Sequence, residues 1–434
     1  MQRKASVSAG VLAMLEQQLD GVHINSDYED IADNMRVEVP IVEDFVNDCA
    51  DEAAAPDSRS TADDPGSCPE PAAGLTSPGR PRVTVDDFDV LKLIGKGGYA
   101  YGKVYLVQHK QTHRHYAMKV LGKASILLQR RQITFTMTER SILSEVQHPF
   151  IVKLFYAFQS NSKLYLIMEY VAGGELFTHM ANERIFSEDQ ASFYAAELVL
   201  AIAHLHKLGI VFRDTKPENC LLSRTGHLVL TDFGLSKTAL GEDGRTSTFC
   251  GTPAYMAPEV LESSVSYDLS IDWWSLGVLL YEMLTGEVPF KGKAPPQIAK
   301  NIAKMKVYYP NYITPDAKDL IIRLLRKQPA KRIGYGPRGV ENIKNHRFFR
   351  KIDWVRLETD YESFTPPIVP SVSGDADVSN FAAEFTEQQL PPSLAAHDAA
   401  VSTAAVAPGE AAADPATAFQ GFSFVANSVM DSAR

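Results

Sequence analysis

Between residues 88 and 350 the hydrophobic pattern changes its period, and this restricts the fold more than any other feature of the chain. Up to about residue 170 short β-like runs dominate, at 88–94, 103–109, 116–121, 154–159 and 164–170. One helical stretch, 136–146, interrupts them. After Gly173 helices take over. Ser187 with Gln190 three residues on reads as a capping box, and Gly209 closes that helix. Residues 270–285 are nearly all apolar and end at Gly286, which predicts a buried central helix. Thr314 and Pro315 open another helix as N-cap and first-turn proline, with Pro329 beyond its end. Strands first and helices afterwards predict an α+β chain: a small sheet lobe with one main helix, then a larger helical lobe. A cleft between two lobes is where ligands bind most often.

The flanks differ from this body in charge. Residues 1–87 hold 6 basic and 18 acidic side chains, and residues 351–434 hold 3 and 12. The middle holds 34 and 23, so a basic body lies between two acidic tails. Such tails repel themselves and resist collapse, so disorder is expected in them. Short apolar islands at 11–19 and 37–46 read as fluctuating helices or docking peptides. The four cysteines, Cys49, Cys68, Cys220 and Cys250, show no metal-binding spacing and are too few for a disulfide scaffold. No apolar run approaches the ~20 residues a bilayer requires. The expectation is a soluble intracellular protein with no membrane or direct nucleic-acid partner.

Several residues in the body are chemically out of place. Gly95, Lys96, Gly97, Gly98 and Gly102 lie in a turn between two strand-like runs. Glycines there let backbone N–H groups approach phosphate oxygens, although an ordinary glycine hairpin explains them equally well. A P-loop is excluded, because Val104 follows Lys103 where a hydroxyl is needed and a strand follows where a helix is needed. Lys119 sits in the middle of an apolar strand. Glu139, with Ile142, Leu143 and Val146, lies on the apolar stripe of a helix. Each alone could reach solvent along its stem. Together they suggest a buried ion pair, since an unpaired buried ammonium costs several kcal/mol. Further on come Arg213, Asp214, Lys216 and Asn219, then Asp232-Phe233-Gly234, then Ala257-Pro258-Glu259. Asp and Asn offer hard oxygen ligands suited to Mg²⁺ carrying nucleotide phosphates. The order of these elements is very hard to obtain by chance.

That order resembles the eukaryotic protein kinases across about 88–350. Lys216 and Gly251-Thr252-Pro253 resemble the Ser/Thr class. Thr248-Phe249-Cys250-Gly251-Thr252 resembles the AGC group, and within it the likeness is closest to the 70-kDa ribosomal protein S6 kinases. The likeness continues through the tail to Phe419-Gln420-Gly421-Phe422-Ser423-Phe424. It implies a bilobal kinase fold with an N-terminal arm (1–87), a catalytic domain (88–349), an AGC tail (350–426) and a disordered end (427–434).

The resemblance also implies roles. Lys119, oriented by Glu139, would grip the ATP phosphates beneath the glycine turn. Asn219 and Asp232 would hold Mg²⁺. Asp214 would orient the substrate hydroxyl, and Lys216 would neutralise the transferring phosphoryl group. Val104, Ala117 and Met168 would enclose adenine. The backbone at Glu169 and Val171 would hydrogen-bond it, and Glu175 would reach the ribose. Glu175, Glu218 and Glu282 match positions that recognise arginines, which implies Arg-x-Arg-x-x-Ser-like substrates such as a ribosomal protein. Thr248, with Thr246 and Ser247 as rivals, would be the activation-loop phosphosite and pair with Arg213. Ser423 would be the hydrophobic-motif site and Ser393 the turn-motif site. Upstream partners would be a phosphoinositide-dependent kinase and the target-of-rapamycin complex. The location would be the cytoplasm, with the nucleus as a second compartment. Glu259 with Arg332 would form a structural ion pair, Asp272 would hold the catalytic loop, and Phe212, Phe233, Leu143 and Leu154 would stack between the lobes.

Two departures stand out. The glycine turn is two residues longer than the pattern. Thr215 replaces an apolar residue, and its hydroxyl costs about 1–3 kcal/mol if left unbonded. They leave a second reading, a weak or inactive kinase-fold scaffold.

Overall fold

The computed structural model describes residues 83–96, 102–127, 130–237, 250–262, 266–390 and 418–431. Gly97, Gly98, Thr246, Ser247, Thr248 and Ser393, and nearly all of the N-terminal arm, lie outside them.

Five antiparallel strands build the small lobe: β1 (Phe88–Lys96), β2 (Lys103–His109), β3 (His115–Gly122), β4 (Leu154–Gln159) and β5 (Lys163–Glu169). The sheet order is β1-β2-β3-β5-β4, with β8 (Phe424–Val425), from the far end of the chain, added beside β4. Period-two alternation divides its side chains. Tyr105, Val107, Tyr116, Met118, Val120 and Tyr165 pack on the outer face, and Leu106 and Ala117 join Ile94 on the inner one. Lys119 alternates with Met118 and Val120, so it shares the inner face with Ala117.

The helix α2 (Arg130–Glu145) packs behind the sheet, preceded by a short α1 (Lys123–Leu127) that the sequence pattern did not reveal. The helix α2 begins six residues before the expected start at 136. Its opening residues are mostly polar, and Ile133 and Phe135 alone do not mark a helical stripe. Its inward stripe is as expected: Glu139, Ile142 and Leu143 are buried, as is Val146 just beyond the helix.

The large lobe contains α3 (Leu176–Glu183), α4 (Glu188–Lys207), the two-stranded β6 (Cys220–Leu222) and β7 (Leu228–Leu230), α5 (Ser270–Thr285), α6 (Pro295–Lys304), α7 (Pro315–Leu324) and α8 (Gly339–Lys344). Ser187 and Gln190 cap α4 reciprocally, and Thr314 caps α7. Nearly every residue of α5 is buried, and Gly286 ends it in the left-handed conformation. No described helix is long and apolar enough to cross a membrane.

The C-terminal tail lies against both lobes. A side chain at Gly174 would stand 2.2 Å from the Asn380 carbonyl oxygen, and one at Gly226 2.0 Å from that of Ile368. These glycines let tail backbone rest on loop backbone. Phe419 and Phe422 are fully buried, and Ala426 N–H donates to the Phe155 carbonyl. Short elements occur within two segments expected to be disordered. A 3₁₀ turn at Val85–Asp87 precedes β1 within the arm, and a helical turn, Asn427–Asp431, occupies the end expected to be disordered. Both are short and anchored by apolar contacts: Val85 and Val429 pack on the outer-face cluster.

Candidate active site

The sheet, α2 and the loop after β7 meet at one ammonium group. Lys119 Nζ lies 2.7 Å from Glu139 Oε1 and 2.8 Å from Asp232 Oδ1. The ion pair expected from the sequence is present, and a second carboxylate joins it. Burial alone would depress the Lys119 ammonium, but the Asp232 and Glu139 carboxylates outweigh it and hold its pKa above the usual range. Asp232 moves the other way. Burial opposes its ionisation, yet Lys119 and then Lys216 keep it below the ordinary carboxylate value. Asp232 adopts φ 60°, a backbone conformation that a non-glycine residue holds only when its surroundings fix it. A side chain at Gly234 would come 3.3 Å from Asp232 Oδ1, so a bare backbone suits this corner.

The loop after α4 carries the second half of the site. Asp214 is buried and held from three sides. Asn219 Nδ2 donates to Asp214 Oδ2 at 2.8 Å, Thr252 Oγ1 donates to Oδ1 at 3.1 Å, and Lys216 Nζ lies 2.9 Å from Oδ2. Lys216 Nζ also donates to Thr252 Oγ1 at 3.1 Å. Asp272, wholly buried in α5, accepts from the backbone N–H groups of Phe212 at 3.0 Å and Arg213 at 2.8 Å. Those bonds fix Arg213 at φ 73°. Phe212 and Phe233 meet edge to face at 5.0 Å, in one core with Leu143 and Leu154. Arg332 grips Glu259 in a two-pronged contact at 2.6 and 3.0 Å. Thr215 is fully buried, and its hydroxyl has no hydrogen-bond partner.

Around this centre the remaining expected residues fall into place by register. Ala117 pairs with Met168 across β3 and β5, and Val104 pairs with Lys119 across β2 and β3. Val104, Tyr170 and Phe381 pack against Ile94, Leu106 and Ala117, forming an apolar roof on the inner face. Gly95 ends a bulged stretch of β1, and Gly102 lies against Leu121, whose Cδ2 a side chain there would approach to 2.6 Å. Lys96, the last residue of β1, approaches the Phe385 ring. Glu169 N–H donates to the Lys153 carbonyl, and Val171 is buried.

Glu175, Glu218 and Glu282 lie close enough to feel one another. Burial and then Glu218 raise the pKa of Glu175. Burial raises that of Glu282, the Tyr255 hydroxyl that donates to it pulls it down, and Glu218 adds to the rise. Lys216 offsets part of the negative charge at Glu175 and Glu218, and three carboxylates near one ammonium leave an excess of negative charge.

Nucleotide and Mg²⁺ can be tested against these donors. No described group of three or more His, Cys, Asp or Glu could cage a metal ion. The two hard ligands present, Asp232 and the Asn219 amide oxygen, fit an ion that takes its other ligands from phosphates and water. The Asn219 nitrogen is occupied by Asp214, which leaves its oxygen for such a role. The residues fit both groups. Thr252, Tyr255 and Phe381 were not singled out as site residues from the sequence. Thr252 stood within the Gly251-Thr252-Pro253 signature, but nothing in the sequence placed its hydroxyl beside Asp214.

A protein kinase domain model matches residues 88–349, and a protein kinase C terminal domain model matches 372–424. The chain is 45% identical over 358 residues to ribosomal protein S6 kinase alpha-4 of Homo sapiens, covering 80% of this chain and 44% of that protein. It is 43% identical over 314 residues to RAC-beta serine/threonine-protein kinase A of Xenopus laevis, covering 72% of this chain and 63% of that one. A rat RAC-beta serine/threonine-protein kinase is likewise 43% identical over 314 residues. The chain thus spans about half the length of the curated relatives it matches. With more than half its residues inside the kinase domain and the C-terminal extension alongside, the chain belongs to the protein kinase family, in its AGC group near the ribosomal protein S6 kinases.

Proposed function

We propose that the protein is a Ser/Thr kinase that transfers the terminal phosphoryl group of Mg-ATP to basic protein substrates. The observation that carries this reading is the Lys119–Glu139–Asp232 cluster facing an Asp214 carboxylate already held by three donors. When bound, Mg-ATP supplies the phosphoryl group and the metal charge that offsets its oxygens. Lys119 binds phosphate oxygens, and Glu139 keeps its stem from swinging away. Asp232 and the Asn219 oxygen hold the metal. Asp214, fixed by Asn219 and Thr252, accepts the hydrogen bond of the incoming serine or threonine hydroxyl and aims its oxygen. Lys216 faces the transferring group from the same loop. Catalysis here is alignment and electrostatics, with no covalent intermediate.

Substrate choice follows from Glu175, Glu218 and Glu282, whose excess negative charge favours arginines N-terminal to the phosphorylated residue, as in an Arg-x-Arg-x-x-Ser segment. Regulation follows from two features. Arg213 is buried, donates to the Leu235 carbonyl and to Tyr267, and keeps Nη2 without a partner. A phosphate on Thr248 would supply that partner beside Asp214. The tail aromatics lie against α2: Arg140 donates to the carbonyls of Gly421 and Phe422, and Gln159 to that of Phe419 at 3.1 Å. Phosphorylation of the exposed Ser423 would strengthen this contact and hold Glu139 toward Lys119. The proposed upstream enzymes are a phosphoinositide-dependent kinase for Thr248 and the target-of-rapamycin complex for Ser423, with work in the cytoplasm and nucleus in growth and translation signalling. Ser393 remains a third proposed phosphosite.

The test is phosphate transfer from Mg-ATP to an arginine-rich serine peptide by protein phosphorylated at Thr248, with Asp214→Asn as control. Wild type should transfer and the variant should lose at least about 10²-fold. Equal silence of both would leave a kinase-fold scaffold.

A further inference from the structure

The helix α7, the segment after it and the end of α8 line an open groove of about 1110 Å³. It shares no residue with the catalytic site. Its charges do not cancel. Of its two carboxylates, Asp316 is paired with Arg350, and Asp319 with Arg323 at 2.9 Å and His346 at 3.0 Å. Arg332 in its wall is turned inward to Glu259. The exposed cations that remain, Arg326, Lys331 and Arg347, have no side-chain partner among the described residues.

We propose that this groove docks an acidic peptide segment of a partner protein. The charge argument is that unpaired cations line it while every carboxylate in it is already neutralised. The size argument is that it exceeds the roughly 300–1,000 Å³ of a small-ligand pocket. A lone phosphate would leave most of it empty. The shape of the lining excludes an amphipathic helix, since Tyr335 and Ile333 are almost its only large apolar residues. Asn342 and Asn345 add exposed amides able to bond an extended backbone. The preference is opposite to that of the acidic Glu175–Glu218–Glu282 region. A partner could therefore present basic residues to the cleft and an acidic segment here.

The test uses the full chain and a fluorescein-labelled octapeptide of alternating Glu and Asp, read by fluorescence anisotropy. Wild type should bind, and binding should weaken as salt rises from about 50 to about 200 mM. The triple variant Arg326→Ala, Lys331→Ala, Arg347→Ala should raise Kd at least tenfold. Its melting temperature should hold, because Arg332 uses the backbone carbonyl of Arg326 and not its side chain. Arg326→Lys with Arg347→Lys should retain binding and keeps the test valid should the alanine variant fail to fold. A control, Lys300→Ala with Lys304→Ala and Lys306→Ala, removes exposed lysines elsewhere and should bind as wild type does. No binding by wild type, equal binding by the triple variant, or an equal loss in the lysine control would overturn the proposal. So would full displacement of the peptide by inorganic phosphate at low millimolar concentration, which would mark a small-anion site.

Discussion

Two of the ion clusters among the described residues are built on opposite plans. Arg332 and Glu259 match one cation to one carboxylate in two-pronged contact, and Arg332 also donates to the carbonyls of Ser270 and Arg326. Every charge there is neutralised and almost nothing of it reaches solvent. Lys119 instead divides one positive charge between Glu139 and Asp232, so that cluster keeps an excess negative charge. It is also open, since the Asp232 side chain is 35% exposed. A balanced, closed pair can only hold structure. An unbalanced, open one has capacity for a further cation and the anion that accompanies it.

Replacing each cation in turn shows which property depends on it. Lys119→Arg, which keeps a positive charge beside the buried Glu139 and Asp232, should lower kcat/KM for phosphate transfer by about 10³-fold, with a melting temperature within a few degrees of wild type. Arg332→Ala should instead destabilise the fold by about 3–5 kcal/mol, because a buried Glu259 is left uncompensated. Transfer activity should then fall only with the loss of folded protein. Chemical denaturation and single-turnover transfer on both variants check this. An Arg332→Ala protein that is stable but inactive would erase the distinction.

A pair of half-buried histidines adds a dependence on pH. The His148 ring lies tilted against that of His204 at 4.9 Å, and desolvation, then His204 and Lys207, lower its pKa to about 4. The folded protein therefore holds it neutral while the unfolded chain protonates near 6.5. As pH falls from about 6.5 toward 4, the unfolded state binds a proton that the folded state refuses, and stability drops. The loss should be on the order of 2 kcal/mol by pH 5. His148→Gln should flatten that part of the stability profile and leave the profile above pH 7 unchanged, as measured by urea unfolding across pH.

Much of this was readable in advance, for a physical reason. Lys119 and Glu139 announced themselves because a charge on an apolar stripe violates the local pattern, whereas the role of Asp272 came from the family resemblance. Ser187, Gly286 and Thr314 were readable because capping is decided within four residues. What stayed hidden depends on distant segments. Strand β8 pairs with β4 although more than 260 residues separate them, and two residues carry no period to detect. Gly174 and Gly226 look like ordinary turn glycines until tail backbone is seen lying on them. Thr252 is one threonine among several, and only the fold brings it to Asp214. The start of α2 was missed because Ile133 is the single apolar residue of its first turn, too little to mark a helical period.

Thr215 is the exception that sharpens the contrast. Its neighbours Asp214 and Lys216 are fully engaged, yet its own buried hydroxyl bonds to nothing. It belongs to neither plan, being closed like the Arg332 pair and unsatisfied like the Lys119 cluster. An unbonded buried hydroxyl costs about 1–3 kcal/mol, and replacing it by a methyl group of the same shape removes that cost. Thr215→Val should therefore stabilise the protein by about 1 kcal/mol and raise the melting temperature by roughly 2 °C. Transfer activity should stay within twofold of wild type, since the hydroxyl contacts no group in the cleft. A stability loss of similar size would mean the hydroxyl has found a partner in solution, such as an ordered water. A large activity loss at unchanged stability would move Thr215 into the catalytic loop's working set and make it a functional departure.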